Sequence, residues 1–393
     1  MRKNGVMREV IEISGGVCAP SGFTCASAQN KNGDKAALFL SDGRSAVAVV
    51  DRREKKTKGF VSRFIGRDFD GNAKLVVAFC GGVETNEKQY IPAIREVFSK
   101  IRTRFCVTER DVQAFSTGEF LYGSSKNVLD FDFVGVSFSQ DTAVVKESLC
   151  GNGKAVEYAC CFYLGDTKIN FGFLGRTGGK DIAESSFTMI TTDANISSEM
   201  LQKALESEER NVFRMAISPF YGAPSDTVVM MASGKAGNAK IAYEDVEYDK
   251  FCIALRLATA AFSKLLIKNA ENDRVVECIV LNAKSKLQAR EIAVSLASSI
   301  ALRAAVEQRK INLSAVTSAI VSADSSVDFS RLTVLYSNDK KSIKAMENGG
   351  VYPINQERAR EILSENTAYL TVDLNGGNYS SSAWFCISDS DEP

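Results

Sequence analysis

The chain contains no histidine, and that decides which chemistry its hydroxyls, thiols, carboxylates and amines can perform. Without imidazole there is no Ser-His-Asp or Cys-His nucleophile system, no paired-histidine zinc site and no imidazole acid–base step. Hydrolysis or acyl transfer here must take its base from a lysine, a carboxylate or a free α-amino group. The Gly-rich stretch Gly175-Arg176-Thr177-Gly178-Gly179-Lys180 invites comparison with a phosphate-binding loop. Its spacing is one residue short, and Asp181 stands where a Ser or Thr should hold magnesium, so a nucleotide site is not expected. The ten cysteines are scattered, with one adjacent pair, Cys160 and Cys161, and no Cys-x-x-Cys spacing. Reduced, mostly buried thiols in the cytoplasm are the expectation, rather than a metal site or a disulfide framework. Nothing in the residues calls for a metal, a nucleotide or any other cofactor.

Charge gives the same restraint. Lys plus Arg and Asp plus Glu each number 48 in 393 residues, whereas a nucleic-acid partner normally shows itself as a basic excess or stripe. The run Arg52-Arg53-Glu54-Lys55-Lys56-Thr57-Lys58 lacks interleaved aromatics and reads as a solvated loop. No segment reaches the ~18 uninterrupted apolar residues of a membrane helix. Ala254 to Ile267 comes nearest and is interrupted by Arg256 and Lys264. The start Met1-Arg2-Lys3-Asn4-Gly5 has no apolar signal core behind it.

The elements that must position any site alternate between strand and helix. Short apolar runs over 36–39, 45–50 and 74–79 read as strands, and Ile91, Ile94, Val97 and Phe98 recur at helical spacing over 87–102. A strand meander is expected over 143–150, 157–164 and 168–174, turning at Gly151-Asn152-Gly153 and Gly165-Asp166. Helices fit 198–206, 248–268, 286–309 and 356–365. In the second of these, Phe251, Ala254, Leu255, Ala258, Phe262, Leu265 and Leu266 line one face and read as core. Strands fit 227–232, 275–281, 319–322, 332–336 and 368–374. From about residue 272 the order strand, helix, strand, strand, helix, strand predicts a separate α/β domain.

Six segments stand out in order: Gly15-Gly16-Val17-Cys18-Ala19-Pro20-Ser21-Gly22-Phe23; Ser116-Thr117-Gly118; Ile190-Thr191-Thr192-Asp193-Ala194; Asp226-Thr227-Val228 leading to Ala232-Ser233-Gly234; Ser322-Ala323-Asp324 with Asp328-Phe329; and the closing Ala383-Trp384-Phe385-Cys386. Read in this order, they resemble the glutamate N-acetyltransferase/ornithine acetyltransferase family, the ArgJ type. The resemblance implies an α/β fold, an α+β sandwich of the ArgJ/DmpA-like N-terminal-nucleophile type. It assigns residues 1–270 to a catalytic scaffold and 271–393 to a smaller C-terminal α/β domain. It also implies a chemistry that suits a chain without histidine. A hydroxyl attacks the carbonyl of the preceding residue, hydrolysis of the ester splits the chain, and the freed α-amino group serves as base. An acetyl group then passes from N-acetylornithine to glutamate through an acyl-enzyme, in the manner of arginine biosynthesis. The same resemblance implies α and β chains that associate into a homo-oligomer or larger assembly.

Carried over position by position, the nucleophile falls on Ser185, with self-cleavage between Glu184 and Ser185; the alternative is an ordinary serine at a strand edge. Thr117 and Gly118 match the pair that stabilises the oxyanion, the alternative being a simple turn. Either Arg176 or Lys180 stands for the family's lysine and would hold a substrate carboxylate, against a reading as solvated loop charges. Glu271 matches a glutamate of polar support and substrate binding. Other positions depart from the family. Glu184 replaces an alanine and sets a carboxylate beside a carbonyl that must become an oxyanion. Polar pocket segments are replaced over 217–226 and 310–316, Cys80-Gly81-Gly82 replaces an Asn-Ser-Gly-type turn, and the chain stops at Asp389-Ser390-Asp391-Glu392-Pro393, short of the family's closing residues. These departures leave two alternatives open beside acetyl transfer: a non-catalytic relative that binds a small metabolite or partner, and an amide hydrolase on the same scaffold.

Overall fold

The computed structural model describes residues 10–51, 63–65, 69–80, 83–84, 87–116, 120–121, 130–150, 154–176, 186–217, 227–268 and 273–387. The chain divides into two units, residues 1–213 with 221–262, and residues 214–220 with 263–393. Both are mixed α/β.

The first unit is built on a ten-stranded sheet among the described residues. Across it run Ile11–Glu12, Ala155–Leu164, Thr167–Arg176, Phe187–Thr192, Thr227–Ala232, Lys35–Asp51, Asn72–Phe79, Val112–Ser116 and Arg63–Ile65, with Phe23–Gln29 beside the first half of Lys35–Asp51. All six residues of Phe187–Thr192 are buried, as are all six of Thr227–Ala232, and the two pair in parallel from Phe187 opposite Thr227 to Thr192 opposite Ala232. Strands covered on both faces read as apolar runs without alternation, as Val228–Ala232 does, while Phe187–Thr192 buries three threonines among its apolar residues. The sequence places separate strands at 36–39 and 45–50; they belong to one 17-residue strand, Lys35–Asp51, whose register slips between Leu40 and Ser45. The exposed Asp42-Gly43-Arg44 at the slip had the look of a turn.

One core cluster joins Val47, Val49, Leu174, Phe187, Met189 and Met231 to Phe115 and Leu149. A second lies under the Glu87–Phe105 helix, where Val97, Phe98 and Ile101 meet Leu38, Val77 and Phe79. The Val246–Leu266 helix sets Phe251 against Phe162 and Phe171, and Phe262 against Phe173 at 5.1 Å between ring centroids. Its expected core face holds for Phe251, Ala254, Leu255, Ala258, Phe262 and Leu266, whereas Leu265 is exposed. The expected strand at 143–150 is a helix, Ala143–Cys150. Val145, Ser148 and Leu149 are its buried positions, a three-to-four residue spacing, and Asp141 accepts from the Ala143 amide at its start.

The second unit carries a seven-stranded sheet among the described residues, in the order Ala216–Ile217, Tyr379–Ile387, Arg274–Ala283, Thr367–Asp373, Thr333–Ser337, Ser342–Glu347, Gly350–Val351. Arg274–Ala283 pairs parallel to Thr367–Asp373 and antiparallel to Tyr379–Ile387. The expected helix over 286–309 is two helices, Lys286–Ser298 and Ile300–Glu307. Ser299 ends the first and caps the second, its side chain accepting from the Leu302 amide at 3.2 Å. The strand expected at 319–322 lies inside the Leu313–Ala323 helix, capped by Asn312, with Ala315, Val316, Ala319 and Ile320 buried. A four-residue apolar run does not distinguish a strand from a buried helical turn. Among the described residues no helix is long and apolar enough to cross a membrane.

Candidate functional site

The Phe187–Thr192 strand links two different environments. At its C-terminal end, three of the segments singled out in the sequence come together. Asp193 is only 2% exposed, and its carboxylate accepts from the Asn170 amide at 2.8 Å, the Asn170 side-chain nitrogen at 2.6 Å and the Ser21 amide at 3.3 Å. A buried carboxylate must be satisfied in this way, and here N–H groups do it. Thr191 donates its hydroxyl to the Val17 carbonyl at 2.7 Å, and Ser233 donates to the Ser21 carbonyl at 2.6 Å. The Ser233 amide donates to Thr192 and the Ala236 amide to the Asp193 carbonyl. The Gly15–Phe23 segment is thereby fastened across the sheet. Its approach is so close that a Cβ on Gly172 would lie 2.3 Å from the Gly16 carbonyl oxygen and 2.8 Å from Thr191 Oγ1. The hydroxyls bind main chain, and the carboxylate binds two main-chain amides and the Asn170 side chain, so the cluster ties three segments together.

The opposite end of the strand adjoins the positions the sequence marks for chemistry. Phe187 pairs with Arg176 on one side and Thr227 on the other, and the Ser186 carbonyl accepts from the Thr227 amide at 3.3 Å. The Phe187 ring lies 6.4 Å from that of Phe115, in the strand that ends at Ser116. Two chain positions therefore separate Phe187 from Ser185, and two separate Phe115 from Thr117.

Arg176 is 1% exposed and donates from Nη1 to the Leu149 carbonyl at 3.2 Å. It lies in the Thr167–Arg176 strand, so the expectation of a glycine-rich loop starting at Gly175 and the reading of Arg176 as a solvated loop charge both fail. Gly175 is required there by packing: a Cβ would sit 2.8 Å from Phe262 Cζ and from Thr188 Oγ1. Ser185, Glu184, Thr117, Gly118, Lys180 and Glu271 lie outside the described residues. Among the described residues no group of three or more Cys, Asp or Glu side chains could hold a metal ion.

Sequence reasoning assigned no role to Asp193 or Asn170. The one available signal was an aspartate directly after Ile190-Thr191-Thr192; its partners are 23 and 172 positions away along the chain.

The ArgJ family model matches residues 184–389, beginning one position before Ser185. The arginine biosynthesis bifunctional protein ArgJ 1 of Clostridium acetobutylicum is 28% identical over 200 residues, 51% of this chain and 49% of that protein. The arginine biosynthesis bifunctional protein ArgJ of Streptococcus thermophilus is 25% identical over 252 residues, 60% of this chain and 62% of that one. The chain thus spans about half the length of the first curated relatives it matches. Among solved structures, the arginine biosynthesis bifunctional protein from Bacillus halodurans is similar at 25% identity and a TM-score of 0.47, covering 52% of this chain and 94% of that one. A Burkholderia β-aminopeptidase is similar at 9% identity and a TM-score of 0.39, covering 64% of this chain and 87% of its own. With a family model matched over more than half of its length, the chain belongs to the ArgJ family.

Proposed function

We propose that this protein is an acyltransferase of the ArgJ type, self-processed between Glu184 and Ser185, that exchanges an acetyl group between N-acetylornithine and glutamate. The observation that carries the reading is the contact of Phe115 with Phe187, which joins the strand leading into Thr117-Gly118 to the strand leading out of Ser185. In the first step the Ser185 hydroxyl attacks the Glu184 carbonyl, and the peptide N–C bond gives way to an ester. Water then cleaves the ester and leaves Ser185 as a new N-terminus. Its α-amino group, with an ordinary pKa of ~8, accepts the hydroxyl proton in the second phase. The hydroxyl takes the acetyl group and releases ornithine; glutamate's amine then removes the acetyl group. Thr117 and Gly118 donate to the oxyanion in each step. Arg176 or Lys180 holds a substrate carboxylate, and Glu271 supports the substrate.

Intact mass with N-terminal sequencing is the test. Two chains meeting at Glu184 and Ser185, abolished in Ser185→Ala along with acetyl exchange, support the reading. Unchanged turnover in Ser185→Ala overturns it.

A second reading, a non-catalytic relative that binds a small metabolite, is favoured by Glu184, whose negative charge beside the attacked carbonyl opposes oxyanion formation. A single chain of 42.7 kDa with no acetyl exchange is its expected signature.

A further inference from the structure

We propose that Arg303, in the second unit, binds the carboxylate of a small molecule through its Nη1 nitrogen. The residue lies in the Ile300–Glu307 helix, and its guanidinium covers the Phe385 ring at 4.8 Å from the centroid. Nε donates to the Ala297 carbonyl at 3.0 Å and Nη2 to the Ile217 carbonyl at 3.2 Å. Nη1 is buried and has no hydrogen-bond partner among the described residues. A guanidinium has five N–H donors, and Nη1 carries two of them. Two nitrogens therefore fix the orientation of the fork, and the third is left with nothing to donate to.

Charge leads to the same place. Each of these contacts is with a neutral group, whereas a positive charge taken out of water needs a negative one beside it. The neighbouring strand does not provide it. Phe385 pairs with Val276; the next residue, Glu277, pairs with Trp384, lies on the opposite face and holds Lys264 at 2.7 Å. Cys278 returns to the Phe385 face, but burial pushes its thiol up and keeps it neutral. Burial also pulls Arg303 below the ordinary arginine value, as it does for a cation short of counter-charge. One guanidinium with one unused nitrogen matches a monoanion, and a carboxylate oxygen accepts from it as a charge-assisted hydrogen bond. A phosphate dianion would call for further donors. Ile217, which lies against the guanidinium, belongs to the two-residue strand Ala216–Ile217 at the edge of the sheet. So short a pairing opens at little cost, and its opening uncovers the fork.

The test uses the full chain, with sodium acetate replacing sodium chloride at constant ionic strength. The expected result is an unfolding temperature that rises and then levels off as acetate increases, because a ligand bound only by the folded state stabilises it. The levelling rise should be absent from Arg303→Met. In Arg303→Lys, which keeps the charge but loses the fork, about tenfold more acetate should be needed to reach half of it. A parent chain that does not respond, or Arg303→Met responding as the parent does, overturns the proposal. Should Arg303→Met fail to fold, the unsubstituted chain with isotopically labelled arginine decides. The guanidinium signal that shows a nuclear Overhauser contact to the Phe385 ring should shift saturably with acetate, and an unmoved signal overturns the proposal. Both readouts are of binding alone, so the outcome is separate from cleavage at Ser185 and from acetyl exchange.

Discussion

Asp193 accepts hydrogen bonds from both the main-chain and the side-chain nitrogen of Asn170, two donors from one residue on one buried carboxylate. Asp193→Ala leaves the Asn170 and Ser21 donors without an acceptor, and a loss of about 3 kcal/mol in urea unfolding is expected. Asp193→Asn keeps one oxygen but turns an NH2 toward these donors, and should cost less, about 1–2 kcal/mol. Equal stability of all three proteins would refute the role assigned to this carboxylate.

Gly172→Ala should destabilise the first unit by about 2–3 kcal/mol, since the added carbon meets a main-chain oxygen, which cannot swing aside as a side chain can. Gly43→Ala is the matched control: nothing lies within 4 Å of its Cβ position, and thermal unfolding should shift far less.

Ser299→Ala removes the cap between two helices and should cost about 1 kcal/mol. Ser299→Asp should recover most of it, measured by denaturant unfolding, because a carboxylate serves as well at that position.

Arg44 forms a forked pair with Asp70 at 2.9 and 3.1 Å and holds its carboxyl below the usual carboxylate range. Because the folded value is depressed, the stabilisation is present above the unfolded pKa of ~4 and is lost as pH falls through the lower folded value. Arg44→Met should bring Asp70 back toward ~4 in a carboxyl NMR titration. It should also lower stability at neutral pH by about 1 kcal/mol, since the Asp70 pair is half exposed while Arg44 also pairs with the mostly buried Asp111 at 2.9 Å. An unmoved Asp70 titration would show that Arg44 is not the cause.

Arg176→Lys and Lys180→Ala separate the two candidates for the carboxylate contact. A charge contact weakened or removed at the true position should raise KM for the amino-acid substrate about tenfold with kcat nearly constant, because a uniform binding interaction has been weakened. The other variant should leave KM within about twofold. A kcat loss with unchanged KM in both would remove both residues from substrate binding.

The sequence made much of the fold readable where a run was long or the local chemistry unambiguous. Thr227–Ala232 and the long Val246–Leu266 helix declared themselves by apolar continuity and by helical spacing. Ala143–Cys150 and Ala319–Ser322 did not, because short runs of Ala, Val, Ile and Ser fill a helical turn or a strand equally well. Ser299 illustrates a second limit: a break made by a serine cap, with neither Gly nor Pro, carries no breaker signal. The shift of the buried positions from Ile292, Leu296 and Ala297 to Leu302, Ala305 and Val306 is hidden because almost every position around it is apolar or small. At the candidate site, Arg176 fell on a segment whose glycines suggested a loop, while main-chain pairing with Ala155 and Phe187 made it strand. The order of the ArgJ-like segments was legible; that Ser21, Asn170 and Asp193 meet was not, because nothing local to any of them encodes the other two.

The strand order of the first unit has a consequence for a chain cut before Ser185. Phe187–Thr192 and Thr227–Ala232 would come from the downstream piece, yet they are flanked by Thr167–Arg176 on one side and Lys35–Asp51 on the other, both from the upstream piece. The two polypeptides would be interleaved rather than docked. A nicked molecule should therefore migrate as one species under native conditions and part only in denaturant. Separately expressed halves should regain structure only by folding together, since each alone lacks the neighbours that complete its strands.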